Sequence, residues 1–306
     1  MATRIGLIGG FQEGKSTLIN CLLEDRVAVT GTGLSTTKHV VEYYYSPHIR
    51  TSVVRNNVET NLPLKQFMHV ETSEPNDLYR IGLPSALLKS ITLLDTPGFN
   101  ADEQDNQTAQ TSFAGIDFCI YLLGGTKGML NTSERRVLSE IAECRIPVLL
   151  VFNSHGNTDD QWDPLSAENW FLRKSISSDL SKMGLMRCIP LCGENVFAVN
   201  TAWYWYAVST QRDRVFLLPE AKGEKLLKRS VRNYFSEEDD IPGDQLMERS
   251  RIGILREFLT AGGAMFGNVH TTTAIYKAFD DMCTGIVSSM ESICRRSART
   301  SERFIY

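Results

Sequence analysis

The chain has 306 residues, of which 42% are hydrophobic and 22% charged, and a formal net charge of −4. Its length is enough for one large domain, or for one domain with an appendage. The slightly acidic charge argues against a chain-wide surface for polyanions, so no DNA partner is expected. The seven scattered cysteines favour a reducing compartment, and a cytoplasmic location is expected.

The first recognisable feature is a short strand, a glycine-rich loop and a helix in immediate succession. Residues 5–8 are mostly apolar and predict a strand, whereas residues 18–23 carry leucine and isoleucine at helical spacing. Between them, residues 9–16 read Gly-Gly-Phe-Gln-Glu-Gly-Lys-Ser, which fits the phosphate-loop pattern G-x-x-x-x-G-K-[ST]. We therefore expect a nucleoside triphosphate to bind here.

A loop of this kind binds phosphate because its backbone N–H groups surround the anion and the following helix adds its positive end. Lys15 is expected to reach the β- and γ-phosphates, and the hydroxyl of Ser16 to bind Mg²⁺. The predicted nucleotide contacts in this segment are Gly9, Gly10, Phe11, Gln12, Glu13, Gly14, Lys15, Ser16 and Thr17.

A polar segment and two short elements follow. Residues 29–37 are rich in glycine and threonine and predict a mobile loop. Residues 39–45 predict a strand that pairs with residues 52–54 across a turn at Pro47. Residues 62–70 predict a short helix.

A second buried strand, residues 91–94, leads into Asp95-Thr96-Pro97-Gly98. Asp95 at the strand end can hold Mg²⁺ through water, and the backbone N–H of Gly98 can bind a γ-phosphate. A threonine of the polar loop can add its hydroxyl to the metal. Thr37 is the preferred candidate and Thr36 the second, with an ordinary loop threonine as the alternative. The predicted catalytic residues are Lys15, Thr37 and Gly98, and the predicted magnesium ligands are Ser16, Thr37 and Asp95.

Strands and helices alternate through the middle of the chain. Strands are predicted at residues 118–123, 147–152 and 196–199, and helices at residues 132–143 and 170–183. Because nearly every position of these strands is apolar, a parallel sheet covered on both faces is expected. Ser133 is expected to cap the helix 132–143. The aromatic run 203–206 predicts packing against the core, with an exposed partner surface as the alternative.

The C-terminal part reads as helices with a different pattern. Residues 249–259 predict a helix that Gly262-Gly263 breaks. Residues 275–293 carry an apolar helical stripe, which another helix would have to cover. We therefore divide the chain into residues 1–260 and a C-terminal helical segment, residues 261–306.

Four stretches together resemble the GTPases of the translation-factor class, and within it the dynamin superfamily, especially the bacterial dynamin-like proteins. They are residues 7–18, 33–37, 81–99 and 117–138. The run Pro84-Ser85-Ala86-Leu87-Leu88 is the feature most particular to this group. The resemblance covers about residues 1–260.

The resemblance implies an α/β fold of the P-loop GTPase type, with three layers around a mostly parallel sheet and a short C-terminal helical region. It implies that Thr37 is the switch threonine, that a hydrophobic residue at Phe99 is normal, and that Gln12 occupies a position linked to a potassium or sodium ion. It also implies GTP and GDP as ligands and a homodimer across the nucleotide face. Apart from the resemblance, the apolar stripe and the basic C-terminal end allow docking on a helical partner or at the periphery of a membrane.

The motif that reads guanine departs from the family pattern. Such GTPases carry Asn/Thr-Lys-x-Asp after a strand, and here the corresponding residues are Asn153-Ser154-His155-Gly156. Asn153 fits, Ser154 replaces the lysine, and the aspartate is missing, with Asp160 as a displaced substitute. Asn200 and Thr201 resemble a second loop that contacts the base through its backbone, a plain turn after the strand being the alternative.

From these features we expect a dynamin-like GTPase that hydrolyses GTP with Mg²⁺, changes its switch loops with the bound nucleotide and self-associates. An Era/TrmE-like switch GTPase acting on the ribosome or RNA is one alternative. A degenerate head that binds nucleotide weakly and serves as a scaffold is another, because the guanine-reading aspartate is missing. A shortened form of a longer dynamin-like protein would explain the small helical region.

Overall fold

The computed structural model describes most of the N-terminal two thirds of the chain and part of the remainder. The described residues are 2–28, 39–67, 77–98, 115–124, 130–144, 146–154, 164, 176, 178–183, 197–211, 214–235 and 243–266. The strands are β1 (Thr3–Gly9), β2 (Val40–Tyr45), β3 (Arg50–Arg55), β4 (Val58–Asn61), β5 (Leu78–Leu83), β6 (Ile91–Asp95), β7 (Phe118–Gly124), β8 (Val148–Asn153) and β9 (Phe197–Val199). The helices are α1 (Lys15–Leu23), α2 (Leu64–Phe67), α3 (Thr132–Glu143), α4 (Thr201–Ser209), α5 (Lys222–Tyr234), α6 (Gly243–Ser250) and α7 (Ile252–Phe266), with one 3₁₀ turn at Leu87–Lys89.

Within the described residues, the strands form a nine-stranded sheet in the order β4-β3-β5-β2-β6-β1-β7-β8-β9. Strands β6, β1, β7, β8 and β9 run parallel to one another. Strand β2 is antiparallel to β6 and parallel to β5, and β3 and β4 complete the edge as an antiparallel pair. The predicted α/β fold with a mostly parallel sheet is therefore confirmed.

Both faces of the sheet are covered, because alternate residues of its central strands point to opposite sides. On one face, Leu122 packs in a cluster with residues of α1, α4 and α7. On the other, Leu123 packs in a second cluster with residues of α3. Since all of β7 is buried, its sequence is apolar throughout and shows no alternation.

The predicted pairing of residues 39–45 with residues 52–54 is wrong. Strand β5 lies between them, with Tyr43 opposite Ile81 on one side and Val53 opposite Tyr79 on the other. Strand β3 instead forms a hairpin with β4 through Asn56-Asn57, which have φ values of 51° and 63°. Asparagine tolerates this left-handed conformation, and a two-residue turn of this kind favours a tight hairpin.

Helix α3 has the predicted bounds, but its cap is Asn131 rather than Ser133. The Asn131 side chain accepts from the Glu134 N–H at 2.9 Å, and the Glu134 carboxylate accepts from the Asn131 N–H at 2.8 Å. This reciprocal pair satisfies two donors at the start of the helix. The aromatic run starting at Trp203 is confirmed as core, because Trp203 and Trp205 are fully buried.

The C-terminal helices differ from the prediction. Helix α6 ends at Ser250, Arg251 adopts a φ of 63°, and α7 then continues through Gly262-Gly263. The expected break at the two glycines is wrong. Core packing of Ile252 and Leu255 stabilises α7, whereas each helical glycine costs only about 1 kcal/mol.

Several predictions fall wholly or partly outside the described residues. They are the loop at 29–37, the second half of the helix at 62–70, most of the helix at 170–183 and the helix at 275–293. Within the described ranges, none of the helices has the length and apolar character needed to cross a membrane.

Candidate functional site

The glycine-rich loop connects the end of β1 to the start of α1, and its shape depends on residues with unusual backbone angles. Gly14 has a φ of 95°, and a Cβ there would overlap the amide nitrogen of Asn153. Gln12 also has a positive φ, 62°, and its side chain is exposed. Only glycine suits position 14, both for its conformation and for its space.

Lys15 is the first residue of α1, and its side chain is buried within the loop. Its Nζ donates to the carbonyl oxygens of Gly9 and Gly10, at 3.0 and 2.8 Å. The ammonium group is thereby held at the start of the helix, where the helix dipole also favours an anion.

Ser16 and Asp95 meet at the carboxyl ends of β1 and β6. The Ser16 hydroxyl donates to the Asp95 carboxylate at 3.4 Å, across 79 positions of sequence. The parallel register of Leu7 with Asp95 produces this meeting, and the Thr96 hydroxyl reinforces it by donating to the Leu7 carbonyl at 2.8 Å. A hydroxyl beside a buried carboxylate is an oxygen-donor pair of the kind that suits Mg²⁺.

The segment after β6 passes directly against the loop. A Cβ at Gly98 would lie 2.9 Å from the Phe11 Cα and 3.1 Å from the Lys15 Nζ. The absence of a side chain at Gly98 is therefore what permits this close approach.

A buried tyrosine lies next to this site. Burial raises the pKa of Tyr43 well above its ordinary value, and the nearby Asp95 carboxylate raises it further. Tyr43 therefore stays neutral and adds no negative charge beside the Asp95 carboxylate.

The end of β8 holds the loop from the other side. The Asn153 side chain donates to the Glu13 carbonyl at 2.9 Å, and its oxygen accepts from the Thr201 N–H at 3.1 Å and the Thr201 hydroxyl at 2.9 Å. Ser154 is buried, and its N–H donates to the Val199 carbonyl at 2.6 Å. Asparagine at a strand end is the sequence signal for such a link, but the sequence does not reveal its partners.

Asn200 has a structural role in the described geometry. Its side chain is fully buried and accepts from the Trp203 N–H at 2.9 Å, which caps α4. This cap uses the side chain, so the predicted contact of the Asn200 backbone with the base stays a prediction.

The predicted site residues fall into two groups. The structure brings Lys15, Ser16, Asp95 and Gly98 together around the loop, and it places Asn153 and Thr201 at the loop's flank. Thr37, Phe99 and Asp160 lie outside the described residues. The nucleotide, metal and catalytic roles of all these residues remain predictions.

The strand–loop–helix at the centre of a mostly parallel sheet, with Asp95 at the neighbouring strand end, defines a P-loop GTPase fold. Residues 5–154 match the sequence model of the dynamin family. This match places the N-terminal segment of the chain, residues 5–154, in the dynamin superfamily.

Two curated relatives match only parts of the chain. The first is an uncharacterized protein in the xynA 3′ region of Caldicellulosiruptor sp. (strain Rt8B.4), 26% identical over 194 residues, which are 60% of this chain and 47% of the relative. The second is dynamin-like protein 2 of Campylobacter jejuni, 30% identical over 125 residues, which are 39% of this chain and 20% of the relative. The matched part of the chain thus spans about half or less of either relative's length.

A solved structure of an oligomerised bacterial dynamin pair, described as sensing and tethering membranes over long range, is similar in fold. The TM-score is 0.54 at 13% identity, and the match covers 99% of this chain and 52% of that chain. At this identity the similarity concerns the fold alone.

Proposed function

We propose that this chain binds GTP and GDP and hydrolyses GTP in the presence of Mg²⁺. The observation that carries the proposal is that Lys15 and Ser16, at the start of α1, lie with Asp95, at the end of β6, around the glycine-rich loop. The dynamin family match over residues 5–154 supports guanine nucleotide as the ligand.

Phosphoryl transfer asks the protein mainly for positioning and for electrostatic stabilisation. Lys15 would neutralise charge on the β- and γ-phosphates, and the Gly98 N–H would bind the γ-phosphate. Ser16 and Asp95 would hold Mg²⁺, the latter through water; the bound metal would neutralise phosphate charge. The roles of Lys15 and Gly98 require the close contact that a glycine at 98 permits.

Thr37 is proposed as the second hydroxyl ligand of the metal. Strand β2 is antiparallel to β6, and Val41 lies opposite Asp95. Thr37 precedes Val41 by four positions, and an extended chain of that length spans at most about 14 Å. The start of β2 therefore lies near the Asp95 end of the sheet, which supports the proposed role of Thr37.

Self-association is proposed to complete the site. Phe99 follows Gly98 and has no polar group to orient an attacking water, as a glutamine would. Gln12 is exposed on the loop, where it can contact a second copy or a potassium or sodium ion. A homodimer across the nucleotide face would supply the missing groups, and an oligomeric neighbour of the same fold supports this reading.

We propose that Asn153, Ser154, Asn200 and Thr201 contact the guanine base, with Asp160 as the carboxylate that accepts from its N–H groups. Titrations with GDP, GTP and ATP at fixed Mg²⁺ test this. Tighter binding of the guanine nucleotides is expected, and equal affinity for ATP would contradict the assignment.

Phosphate release from GTP tests the hydrolysis. Lys15→Ala is expected to lower turnover by about 100-fold or more, since it removes a charge aimed at the phosphates. Lys65→Ala, at an exposed position, serves as the matched control and should leave turnover unchanged. Wild-type turnover equal to that of Lys15→Ala would contradict hydrolysis and leave a nucleotide-binding scaffold.

The assembly is tested by light scattering. A larger mass with GMP-PNP than with GDP is expected, and an identical monomeric mass in both would contradict the dimer.

We also propose that residues 261–306 dock on helices or at a membrane surface, beyond the GTPase domain of residues 1–260. Co-sedimentation with liposomes would support the membrane, whereas co-sedimentation with ribosomes would contradict it and favour an RNA-directed switch.

A further inference from the structure

The phosphate loop carries an acidic residue, Glu13, and the direction of its side chain matters. A carboxylate facing a bound phosphate would repel it, since both groups are negative. Glu13 is only 6% exposed, so its side chain does not extend into solvent.

The carboxylate of Glu13 occupies a space left by two glycines. A Cβ at Gly124, the last residue of β7, would overlap Glu13 Oε2 and lie 3.2 Å from Glu13 Cδ. A Cβ at Gly10 would lie 3.2 Å from Oε1 and 3.3 Å from Cγ of the same side chain. Gly10, which follows β1, and Gly124, at the end of β7, thus form a seat for one carboxylate.

Neither glycine is required by its backbone conformation. The described glycines with a positive φ are Gly14 and Gly115, so Gly10 and Gly124 lie outside the left-handed region that favours glycine. The need for glycine at position 124 is therefore one of space, and the atoms that demand the space belong to Glu13.

Both ends of Glu13 are held at one pair of strand ends. Gly124 of β7 is the register partner of Asn153 of β8. The Glu13 side chain lies against Gly124, while its main-chain carbonyl accepts from Asn153 at 2.9 Å. Burial raises the pKa of Tyr121, with smaller contributions from several acidic groups that include Glu13, which agrees with a carboxylate close to β7.

We propose that Glu13 is a positioning residue of the nucleotide site. Its carboxylate, which lies between Gly10 and Gly124, fixes the phosphate loop to the end of β7. The negative charge of Glu13 is thereby kept next to the β7 backbone. The role in nucleotide binding rests on the function proposed above, whereas the seat itself is a feature of the fold.

A double-mutant cycle tests the seat. Gly124→Ala is expected to weaken GDP and GTP binding by about 3- to 10-fold, because the new methyl group overlaps the Glu13 carboxylate, a side-chain tip that can shift only by leaving its buried position. Glu13→Ala in the same protein removes the clash, so Gly124→Ala/Glu13→Ala should bind at least about 3-fold more tightly than Gly124→Ala alone. Isothermal titration calorimetry measures both, and Gly253→Ala, with no heavy atom within 4 Å of the new methyl, is the control.

The conservative variant Glu13→Gln tests whether the size of the side chain, rather than global stability, accounts for the change in affinity. Glu13→Gln keeps the size of the side chain, so it should retain affinity within about 3-fold and support a normal KM, whereas Glu13→Ala should raise KM. Gly124→Ala that binds nucleotide like the wild type, or a double variant no better than Gly124→Ala, would overturn the proposal.

Thermal unfolding of the nucleotide-free protein tests the position of Glu13 independently of the proposed function. The melting temperature should fall in Gly124→Ala and recover in the double variant, without any ligand present. A wild-type chain that binds no nucleotide would overturn the proposed function and the positioning role, and the melting series would still support or overturn the seat.

Discussion

The side-chain nitrogen of Asn153 donates to the carbonyl oxygen of Glu13 at 2.9 Å, across 140 positions of sequence. The oxygen of the same amide accepts from both the N–H and the hydroxyl of Thr201. Asn153 thus joins the phosphate loop, the end of β8 and the start of α4 through one side chain. Because the group is buried, water cannot readily replace these bonds if the amide is removed.

Asn153→Ala should therefore weaken GDP binding by about 5- to 30-fold, equivalent to about 1–2 kcal/mol for the lost hydrogen bonds. Calorimetric titration measures the change. Asn131→Ala is the matched control: it removes the cap of α3 and costs about 1 kcal/mol of stability, but it should leave the affinity unaltered. Equal losses of affinity in both variants would show that Asn153 acts only through global stability.

Gly98→Ala should reduce GTP affinity and turnover by about 10-fold or more. The added methyl would meet the Phe11 Cα at 2.9 Å, and backbone atoms cannot move aside as a side-chain tip can. Steady-state phosphate release and nucleotide titration check this. Gly253→Ala, where the methyl meets nothing within 4 Å, should change stability by less than about 1 kcal/mol and leave turnover intact. A fully active Gly98→Ala protein would argue against a tight contact between this segment and the loop.

Glu224→Ala should lower the free energy of unfolding by about 3–5 kcal/mol, since it leaves Arg26 buried without its carboxylate. The pair is bidentate, with Nε–Oε2 at 2.6 Å and Nη2–Oε1 at 2.7 Å, and Glu224 is fully buried. Urea unfolding measures the loss. Glu140→Ala removes the exposed ion pair with Arg136 and should cost at most about 0.5 kcal/mol. Comparable losses in the two variants would contradict the structural role of the buried pair.

Stability should decline at alkaline pH. Burial, together with the hydrogen bond to Glu24, raises the pKa of Tyr204 above its ordinary value near 10. The unfolded chain then loses this proton at lower pH than the native protein does, so the contribution is complete below about pH 10 and falls as the pH rises further. Urea midpoints between pH 8 and 11 should show a shallower decline in Tyr204→Phe than in the wild type. Tyr45→Phe, at an exposed position, controls for the loss of a hydroxyl; an identical slope for Tyr204→Phe and wild type would contradict the prediction.

Local patterns predicted much of the fold. The apolar runs at 91–94 and 118–123 became β6 and β7, and the helix at 132–143 has the predicted bounds, because these elements depend on neighbours in sequence. The pairing of β2 was wrong since its partner β5 follows it by more than 30 positions. Nothing in the local pattern at 39–45 indicates that a distant strand will enter the sheet beside it.

The candidate site was likewise predictable where it consists of short motifs, but not where it depends on contacts between distant segments. The phosphate loop and Asp95 follow from short motifs with fixed spacing. The links from Asn153 to Glu13 and from Gly124 to the Glu13 carboxylate depend on the order of β1, β7 and β8 in the sheet. That order is a property of the assembled sheet, and a search for motifs along the sequence does not reveal it.

The shared cluster on one face of the sheet has a practical consequence for expression work. The family match ends at residue 154, yet Trp205 and Phe258, far beyond it, pack in the same cluster as Leu22 of α1. A protein truncated after residue 154 would expose that apolar surface of α1 and β1 to water, and it would be prone to aggregate. Boundaries chosen for recombinant production should therefore extend at least through Leu259, the last core residue of α7 within the described part of the chain.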